Sequence, residues 1–165
     1  DREAFARTFT IGALPIQALN IEELNEHTPA AVIPALLAPL KAGHDLGLLS
    51  EAGCPAVADP GAALVMAAHR ESIPVVPLIG PSSILLALMA SGLGGQRFAF
   101  HGYLPAKEPE RSQAIRELEK TARRDRATQL FIETPYRSAA LLDALATTLA
   151  PDTFVSVGPD LSLPR

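Results

Sequence analysis

Tryptophan is absent from this sequence, cysteine occurs once, and aromatic residues make up only 5% of the chain. So few aromatic side chains do not favour a base-stacking surface of the kind that binds single-stranded nucleic acid. Because Cys54 has no second cysteine to pair with, an intrachain disulfide is excluded, and a reducing cytoplasm is the predicted location. Four scattered histidines and one cysteine supply no zinc ligand set, so we predict no metal site.

Long hydrophobic runs and an excess of positive charge are also missing. The longest apolar run, residues 84–90, falls far short of the ~18 residues that a membrane-spanning helix needs. The charged start, Asp1-Arg2-Glu3, carries no signal-peptide core, and we predict no membrane contact. A net charge of −4 predicts no broad basic surface for nucleic acid, although a local patch stays possible. Hydrophobic residues nevertheless make up 48%, which is enough to bury a core.

Strand patterns alternate with helix patterns along the 165 residues, and the connections are short. Helices are predicted over residues 29–41, 60–71, 81–91, 110–126 and 135–150, and strands over 45–49, 73–79, 97–100, 128–133 and 153–157. This alternation is typical of parallel α/β packing. Two prolines and a glycine in residues 101–109 favour a domain linker. We therefore expect an N-terminal α/β domain over residues 1–100, a linker over 101–109 and a C-terminal α/β domain over 110–165.

Three junctions share one design, in which a strand ends, small residues turn the chain, and a helix opens with proline in its first turn. They lie at residues 49–61, 79–83 and 132–137. Asp59 and Thr134 are the predicted helix N-caps. In open α/β sheets, ligands bind at the carboxyl ends of strands, and helix-opening N–H groups supply hydrogen-bond donors. The three junctions together predict a ligand pocket between two domains, and simple loop geometry is the alternative for each one alone.

Several common catalytic signatures do not occur. No P-loop motif is found, and the glycines of residues 92–95 follow a helix rather than a strand, as a helix C-terminus does. Ser82 and Ser83 lack the G-x-S-x-G pattern of a serine hydrolase. Cys54 lies in a Gly–Pro loop, where a packed thiol is the favoured interpretation over a nucleophile.

Four motifs occur in a fixed order: SEAGCPAVADPG at residues 50–61, GPSS with a later ASGL at 80–93, FAFHGYLP at 98–105 and FIETPYR at 131–137. In these motifs the sequence resembles the tetrapyrrole methylase family of S-adenosylmethionine-dependent methyltransferases. It is most similar to the branch that methylates the ribose 2′-hydroxyl of a cytidine in bacterial small-subunit ribosomal RNA. The resemblance extends from about residue 25 to the end of the chain.

The resemblance implies a protein of two α/β domains, usually a homodimer, with the methyl donor S-adenosylmethionine bound between the domains. Ribosomal RNA is the implied partner. The motifs place donor contacts at four points along the chain. These are Ser50, Glu51, Ala52 and Gly53, then Ser82 and Ser83, then Glu133, Thr134 and Pro135, and finally Pro159 and Asp160.

The chain also departs from the family pattern. The first strand of the family and the last strands of its second domain are missing, so we expect the chain to be incomplete at both ends. The ribosomal RNA branch usually has aspartate, threonine, alanine and histidine where this chain has Glu51, Cys54, Thr134 and Tyr136. These differences leave a tetrapyrrole or other small molecule open as the methyl acceptor.

A hydroxyl acceptor must lose a proton during methyl transfer, and the candidate bases are Glu51, Glu133 and His101. Each has another role open to it: Glu133 as a donor-site hydrogen-bond acceptor, His101 as a cap on the linker, and Glu51 as a partner of Arg137. Arg137 itself either pairs with an anionic ligand group or anchors its helix.

A non-catalytic sensor of adenosyl ligands is a further alternative for the function of the protein. A basic strip on the charged helix favours RNA if it faces the cleft: Lys120, Arg123, Arg124 and Arg126.

Overall fold

The computed structural model describes residues 18–50 and 53–161 of the chain. The chain divides into two compact units, Asp1–Gly80 and Pro81–Arg165. The described part of the first unit contains two α-helices, and that of the second contains three α-helices and two parallel strands. The prediction of mixed helices and parallel strands is therefore confirmed at the level of an α/β protein.

The first unit is built on helix α1 (Ile33–Lys41) and helix α2 (Ala62–Arg70). A short 3-10 helix, Ala30–Val32, leads into α1, as expected for a segment with Pro34 near its start. Pro39 lies inside α1 and has no N–H to donate, and the helix ends two residues later. The two helices pack through a small core of buried residues: Ile33, Leu37, Leu64 and Ala68.

The second unit begins with helix α3 (Ser83–Ser91), which ends at Gly92 in the left-handed conformation that favours glycine. Strand β1 (Phe98–Tyr103), helix α4 (Glu110–Asp125) and strand β2 (Thr128–Ile132) follow as a β–α–β unit. The two strands pair in parallel, with Phe98 opposite Thr128. A shift in register lies next to Gly102, whose φ of +65° suits an irregularity that bends the strand.

A 3-10 helix, Pro135–Arg137, leads from β2 into helix α5 (Ser138–Thr148), which packs on α4. The core of the second unit lies where these helices meet the strands. Its centre is Ile115, which is 1% exposed. The other buried members are Leu104, Leu141, Ala144 and Leu145.

Helix α4 presents a solvated charged face, as expected for its composition. Glu110 stands in its first turn and Arg123 and Arg124 in its last turn, where each complements the helix dipole. Lys120 pairs with Glu117 at 2.6 Å on the exposed surface. The charge of this helix is thus explained by solvation and local pairing.

Three predicted strands are wrong: residues 45–49, 73–79 and 153–157 form no strand in the structure. A strand needs a hydrogen-bonded neighbour, and the described part of the sheet consists of β1 and β2 alone. The side chains in these segments are correspondingly open to solvent, with Val76 75%, Leu78 88% and Phe154 84% exposed. Apolar β-branched residues predicted these strands, but such a pattern does not reveal whether a pairing strand is present.

The predicted boundaries after Phe100 and before Glu110 stay predictions, while the observed compact units meet between Gly80 and Pro81. Strand β1 runs on to Tyr103, three residues past its predicted end. Leu104, which follows the strand, is buried in the core of the second unit. Among the described residues, no helix has both the length and the apolar character needed to cross a membrane.

Candidate functional site

The described part of the first predicted junction after Ser50, residues 53–61, is a loop with unusual backbone angles. Ala56 and Ala58 have φ values of 63° and 58°, in the left-handed region that alanine avoids. The loop is closed by a hydrogen bond from the N–H of Ala56 to the carbonyl of Pro60 at 3.2 Å. Gly61 has a φ of +132°, and an added Cβ would come within 2.7 Å of the Leu48 side chain. The loop therefore holds two alanines in a backbone conformation that carries a cost in stability.

Ser50, the first predicted donor contact, has a buried hydroxyl oxygen with no hydrogen-bond partner in the described part of the chain. A buried hydroxyl without a partner carries a cost in stability, so its presence at this position needs an explanation. Glu51 and Ala52 lie outside the described residues. Gly53 has a φ of +80°, which glycine adopts without strain.

The helix cap predicted at the first junction is wrong, and the one predicted at the third junction is confirmed in its position. Gly61, rather than Asp59, occupies the N-cap position of α2. Thr134 does occupy the N-cap position of its 3-10 helix, but its side chain makes no capping bond. Its hydroxyl instead accepts a hydrogen bond from Nε of Arg137 at 3.2 Å. Helix-capping preferences identified polar residues near the turns, but they did not indicate that Arg137 competes for the hydroxyl of Thr134.

At the second junction, Ser82 is the N-cap of α3 and has extended backbone angles. Its side chain makes no capping hydrogen bond. The carbonyl of Ser82 accepts the first helical bond, from the N–H of Leu86 at 2.9 Å. The hydroxyl of Ser82 is thus not engaged in capping, while Ser83 begins the helix on the exposed side.

The third junction is organised by an ion pair between Glu133 and Arg137. The distance from Nη2 of Arg137 to Oε1 of Glu133 is 2.5 Å, and Nε of Arg137 donates to the same oxygen at 2.8 Å. The N–H of Thr134 is a further donor to Oε1, at 2.8 Å. The Glu133 side chain is only 6% exposed. This carboxylate is therefore fixed by donors from the turn that follows it.

His101, a candidate base, lies on β1 and is exposed. Its Nε2 is 2.7 Å from Oε1 of Gln129 on the neighbouring strand β2. The alternative role, as a cap on the linker, stays a prediction, and the structure places His101 within β1. The contact with Gln129 orients the imidazole ring along the sheet.

A groove with a volume of about 1050 Å³ lies within the second unit. Its walls are mainly apolar and come from α3, β2, α4, α5 and the segment after α5. The groove collects predicted donor contacts that are far apart in sequence, namely Ser83, Glu133, Pro135, Pro159 and Asp160. Ser82 and Thr134 are next to these residues but are not part of the lining.

The basic strip is compensated by acidic side chains. Nη2 of Arg123 lies 2.6 Å from Oδ1 of Asp152, and Nε of Arg124 lies 2.7 Å from Oδ1 of Asp125. Arg123 and Arg126 line the groove, whereas Lys120 and Arg124 do not. No cluster of three or more histidine, cysteine, aspartate or glutamate residues suited to a metal ion occurs among residues 18–50 and 53–161.

These features define an α/β protein with a β–α–β unit and a mainly apolar groove bordered by helix-opening turns. The family model for Tetrapyrrole (Corrin/Porphyrin) Methylases matches residues 6–165. The chain therefore belongs to the tetrapyrrole methylase family, as its four motifs predicted.

Several curated relatives carry the name ribosomal RNA small subunit methyltransferase I. The protein from Mesorhizobium japonicum is 38% identical over 138 residues, covering 84% of this chain and 46% of the relative. The protein from Halalkalibacterium halodurans is 36% identical, covering 80% and 44%. The protein from Escherichia coli O157:H7 is 34% identical, covering 84% and 47%. The chain thus spans about half the length of these relatives.

The structure also adds features that the sequence did not indicate. Alanine gives no signal of a left-handed conformation, so the strain at Ala56 and Ala58 was not predictable. The contribution of residues 152–158 to the groove was hidden because these residues were predicted partly as a strand, whereas Pro159 and Asp160 were among the predicted contacts. The spacing of Glu133 and Arg137, four residues apart with an intervening proline, was the available signal for their ion pair.

Proposed function

We propose that the protein is an S-adenosylmethionine-dependent methyltransferase that acts on a ribose hydroxyl of small-subunit ribosomal RNA. The observation that carries this proposal is the similarity, over 80–84% of this chain, to relatives named ribosomal RNA small subunit methyltransferase I. Because the chain spans about half of those relatives, the activity is proposed for the whole protein.

The residues at the predicted contacts suit the chemical groups of the donor. The hydroxyl of Ser50, which has no partner among the described residues, supplies a donor or acceptor for a polar ligand atom. The apolar side chains that line the groove, including Leu130 and Phe131, suit an adenine ring, and Glu133 suits a hydroxyl or ammonium group. When bound, S-adenosylmethionine supplies a methyl group on a sulfonium sulfur, which is a good leaving group.

The family resemblance supports three further parts of the proposal. We propose two α/β domains that hold the donor between them, with the loop at residues 50–53 contributing from the first domain. We also propose that the protein works as a homodimer in the cytoplasm. Within this arrangement the task of the chain is to align the acceptor oxygen with the methyl group and to exclude water.

An acceptor hydroxyl needs a base, and the candidate residues differ in their freedom to act. Oε1 of Glu133 accepts one hydrogen bond from Nε of Arg137 and two from Thr134, and it lies 2.5 Å from Nη2 of Arg137, so this oxygen is committed to the turn. We therefore propose that Glu133 binds and orients rather than removes the proton. The remaining candidates for the base are Glu51 and His101.

A small-molecule acceptor, such as a tetrapyrrole, is the second candidate function. The observation that favours it is the compensation of the basic strip, because Lys120, Arg123 and Arg124 each pair with a carboxylate. Paired cations attract an RNA backbone less than free ones. The net charge of −4 has the same effect at long range.

The proposed donor site is tested with Ser50→Ala in the full-length protein. Removing a buried hydroxyl that has no partner leaves the melting temperature unchanged or raises it. If this hydroxyl binds the donor, the Kd for S-adenosylhomocysteine measured by calorimetry rises by roughly three- to tenfold. The matched control is Ser72→Ala, which removes an exposed hydroxyl in the same unit. A wild-type Kd for Ser50→Ala would contradict the assigned contact.

The acceptor is tested by methyl transfer from isotope-labelled S-adenosylmethionine. Small ribosomal subunits from cells that lack this protein are incubated with the purified protein, and the RNA is digested to nucleosides for mass spectrometry. The proposal expects label in a ribose-methylated nucleoside. Label in an added tetrapyrrole but not in RNA would favour the second candidate. Binding of S-adenosylhomocysteine without transfer to any acceptor would indicate a sensor.

A further inference from the structure

We infer that Arg137 is a positioning residue for the methyl-donor site, because it fixes the carboxylate of Glu133 and the turn that carries Thr134 and Pro135. This inference rests on the proposed function, since it takes Glu133 as a donor contact. Arg137 acts through Glu133 and is not assigned any contact with the reacting atoms.

The hydrogen bonds divide the two oxygens of Glu133 into different roles. Oε1 accepts from Nε of Arg137 and from the N–H and hydroxyl of Thr134, and it pairs with the charge on Nη2 of Arg137. Within the described part of the chain, Oε2 accepts no hydrogen bond, and the side chain, which is 6% exposed, lines the groove. Oε2 is thus the oxygen with unused acceptor capacity. An ionised carboxylate held by one oxygen presents the other in a defined position for a ligand hydroxyl or ammonium group.

Arg137 is itself held from several directions. Its N–H donates to the carbonyl of Thr134 at 3.0 Å, and Oγ of Ser138 donates to the same carbonyl at 3.0 Å. Its Cζ lies 5.7 Å from the ring centre of Tyr103 on β1 and 5.9 Å from that of Tyr136. These distances allow attraction between the cation and the aromatic faces. The guanidinium therefore connects the end of β2 to the neighbouring strand.

The geometry favours a positioning role over direct recognition of an anionic ligand. The guanidinium charge is already compensated by Glu133 at 2.5 Å, and its side chain is 26% exposed. Nε and Nη2 reach the same carboxylate together, which the planar guanidinium does and a lysine ammonium does not. A positive charge alone is thus insufficient to fix the carboxylate of Glu133. Arg137→Lys tests this, because it keeps the charge and removes the planar pair of donors.

The experiment compares Arg137→Lys, Glu133→Gln and the double variant in the full-length protein. The matched control is Arg111→Lys, because Nε of Arg111 also donates to a glutamate, Oε1 of Glu108, at 2.9 Å in the same unit. Calorimetry with S-adenosylhomocysteine gives the Kd, and differential scanning calorimetry gives the melting temperature. Hydrogen–deuterium exchange of the peptide covering residues 133–138 reports the turn without any ligand.

We expect each single variant to raise the Kd by about tenfold, as for loss of a charge-assisted hydrogen bond. The double variant should add little to either single variant, because both act through one ion pair. Arg111→Lys should stay within about twofold of the wild type. A fall in melting temperature with an unchanged Kd for Arg137→Lys would mean a purely structural role and would overturn the inference.

The failure of the proposed function has a different signature. If the wild-type protein does not bind S-adenosylhomocysteine, the donor assignment fails, and the exchange data decide whether Arg137 positions the turn. Faster exchange of residues 133–138 in Arg137→Lys than in Arg111→Lys supports the positioning role. Equal exchange in the two variants overturns it.

Discussion

Helix α5 carries two adjacent leucines that differ sharply in burial, and this contrast allows a matched test of the fold around the groove. Leu141 is 5% exposed and packs in the core of the second unit, while Leu142 is 44% exposed. Replacing either residue with alanine changes the helix propensity in the same way. The difference between Leu141→Ala and Leu142→Ala therefore reports the packing of the two side chains alone.

The expected magnitudes follow from burial. Leu141→Ala removes three buried carbon atoms, worth about 0.8 kcal/mol each, and leaves a cavity that adds about 1 kcal/mol. The free energy of unfolding should thus fall by roughly 3 kcal/mol. Leu142→Ala loses about half of the transfer term and leaves no closed cavity, so its loss should be about 1 kcal/mol. A difference of about 2 kcal/mol corresponds to roughly 4–8 °C in melting temperature for a chain of this size.

The measurement is urea unfolding followed by circular dichroism, with thermal unfolding by calorimetry as a second method. Both variants should keep the denaturant slope of the wild type, because neither changes the surface exposed on unfolding by much. Equal losses for Leu141→Ala and Leu142→Ala, or a larger loss for Leu142→Ala, would refute the packing of α5 described above. Helix α5 would then not line the groove in the orientation described above.

The remaining predictions concern backbone strain and pH. Ala56→Gly should raise the free energy of unfolding by about 0.5–1 kcal/mol, because glycine adopts the φ of 63° without strain. The control Ala67→Gly, in helix α2, should lower the free energy of unfolding by about 1 kcal/mol. If urea unfolding shows a lower free energy for both variants, Ala56 is not strained. The hydrogen bond from Thr153 holds the pKa of Glu119 below its ordinary value, so this carboxylate stabilises the fold above the ordinary pKa and the contribution is lost as the pH falls through the lowered pKa. Thr153→Val should therefore move the midpoint of acid unfolding to higher pH, and an unchanged midpoint would be evidence against this role.

The sequence was sufficient to predict the helices and the parallel pair of strands in the second unit. Helix α4 has dipole-compatible charges and a buried Ile115, so local preference and burial agree. Strands β1 and β2 were recognised because each follows a clear turn and the two flank α4. The predicted strand over residues 73–79 failed because β-branched composition indicates a tendency to pair but not a partner.

The candidate site was predictable at the level of its turns and less so at the level of its contacts. Motif positions indicated Ser83, Glu133 and Asp160, and the groove brings these residues together. The pairing of Glu133 with Arg137 depends on side-chain directions set by the 3-10 helix, which composition does not encode. The left-handed alanines are invisible in sequence, because alanine is ordinary in every other conformation.

Ser50 and the loop at residues 53–61 combine features that each reduce stability. Two alanines adopt left-handed angles, and the hydroxyl of Ser50 is buried without a partner. Selection for stability alone would replace Ala56 with glycine and Ser50 with alanine, since both changes remove a cost. Such costs persist where the strained conformation or the unpaired group has a use in binding. If donor binding is that use, Ser50→Ala and Ala56→Gly should both stabilise the free protein. Ser50→Ala should at the same time raise the Kd for S-adenosylhomocysteine.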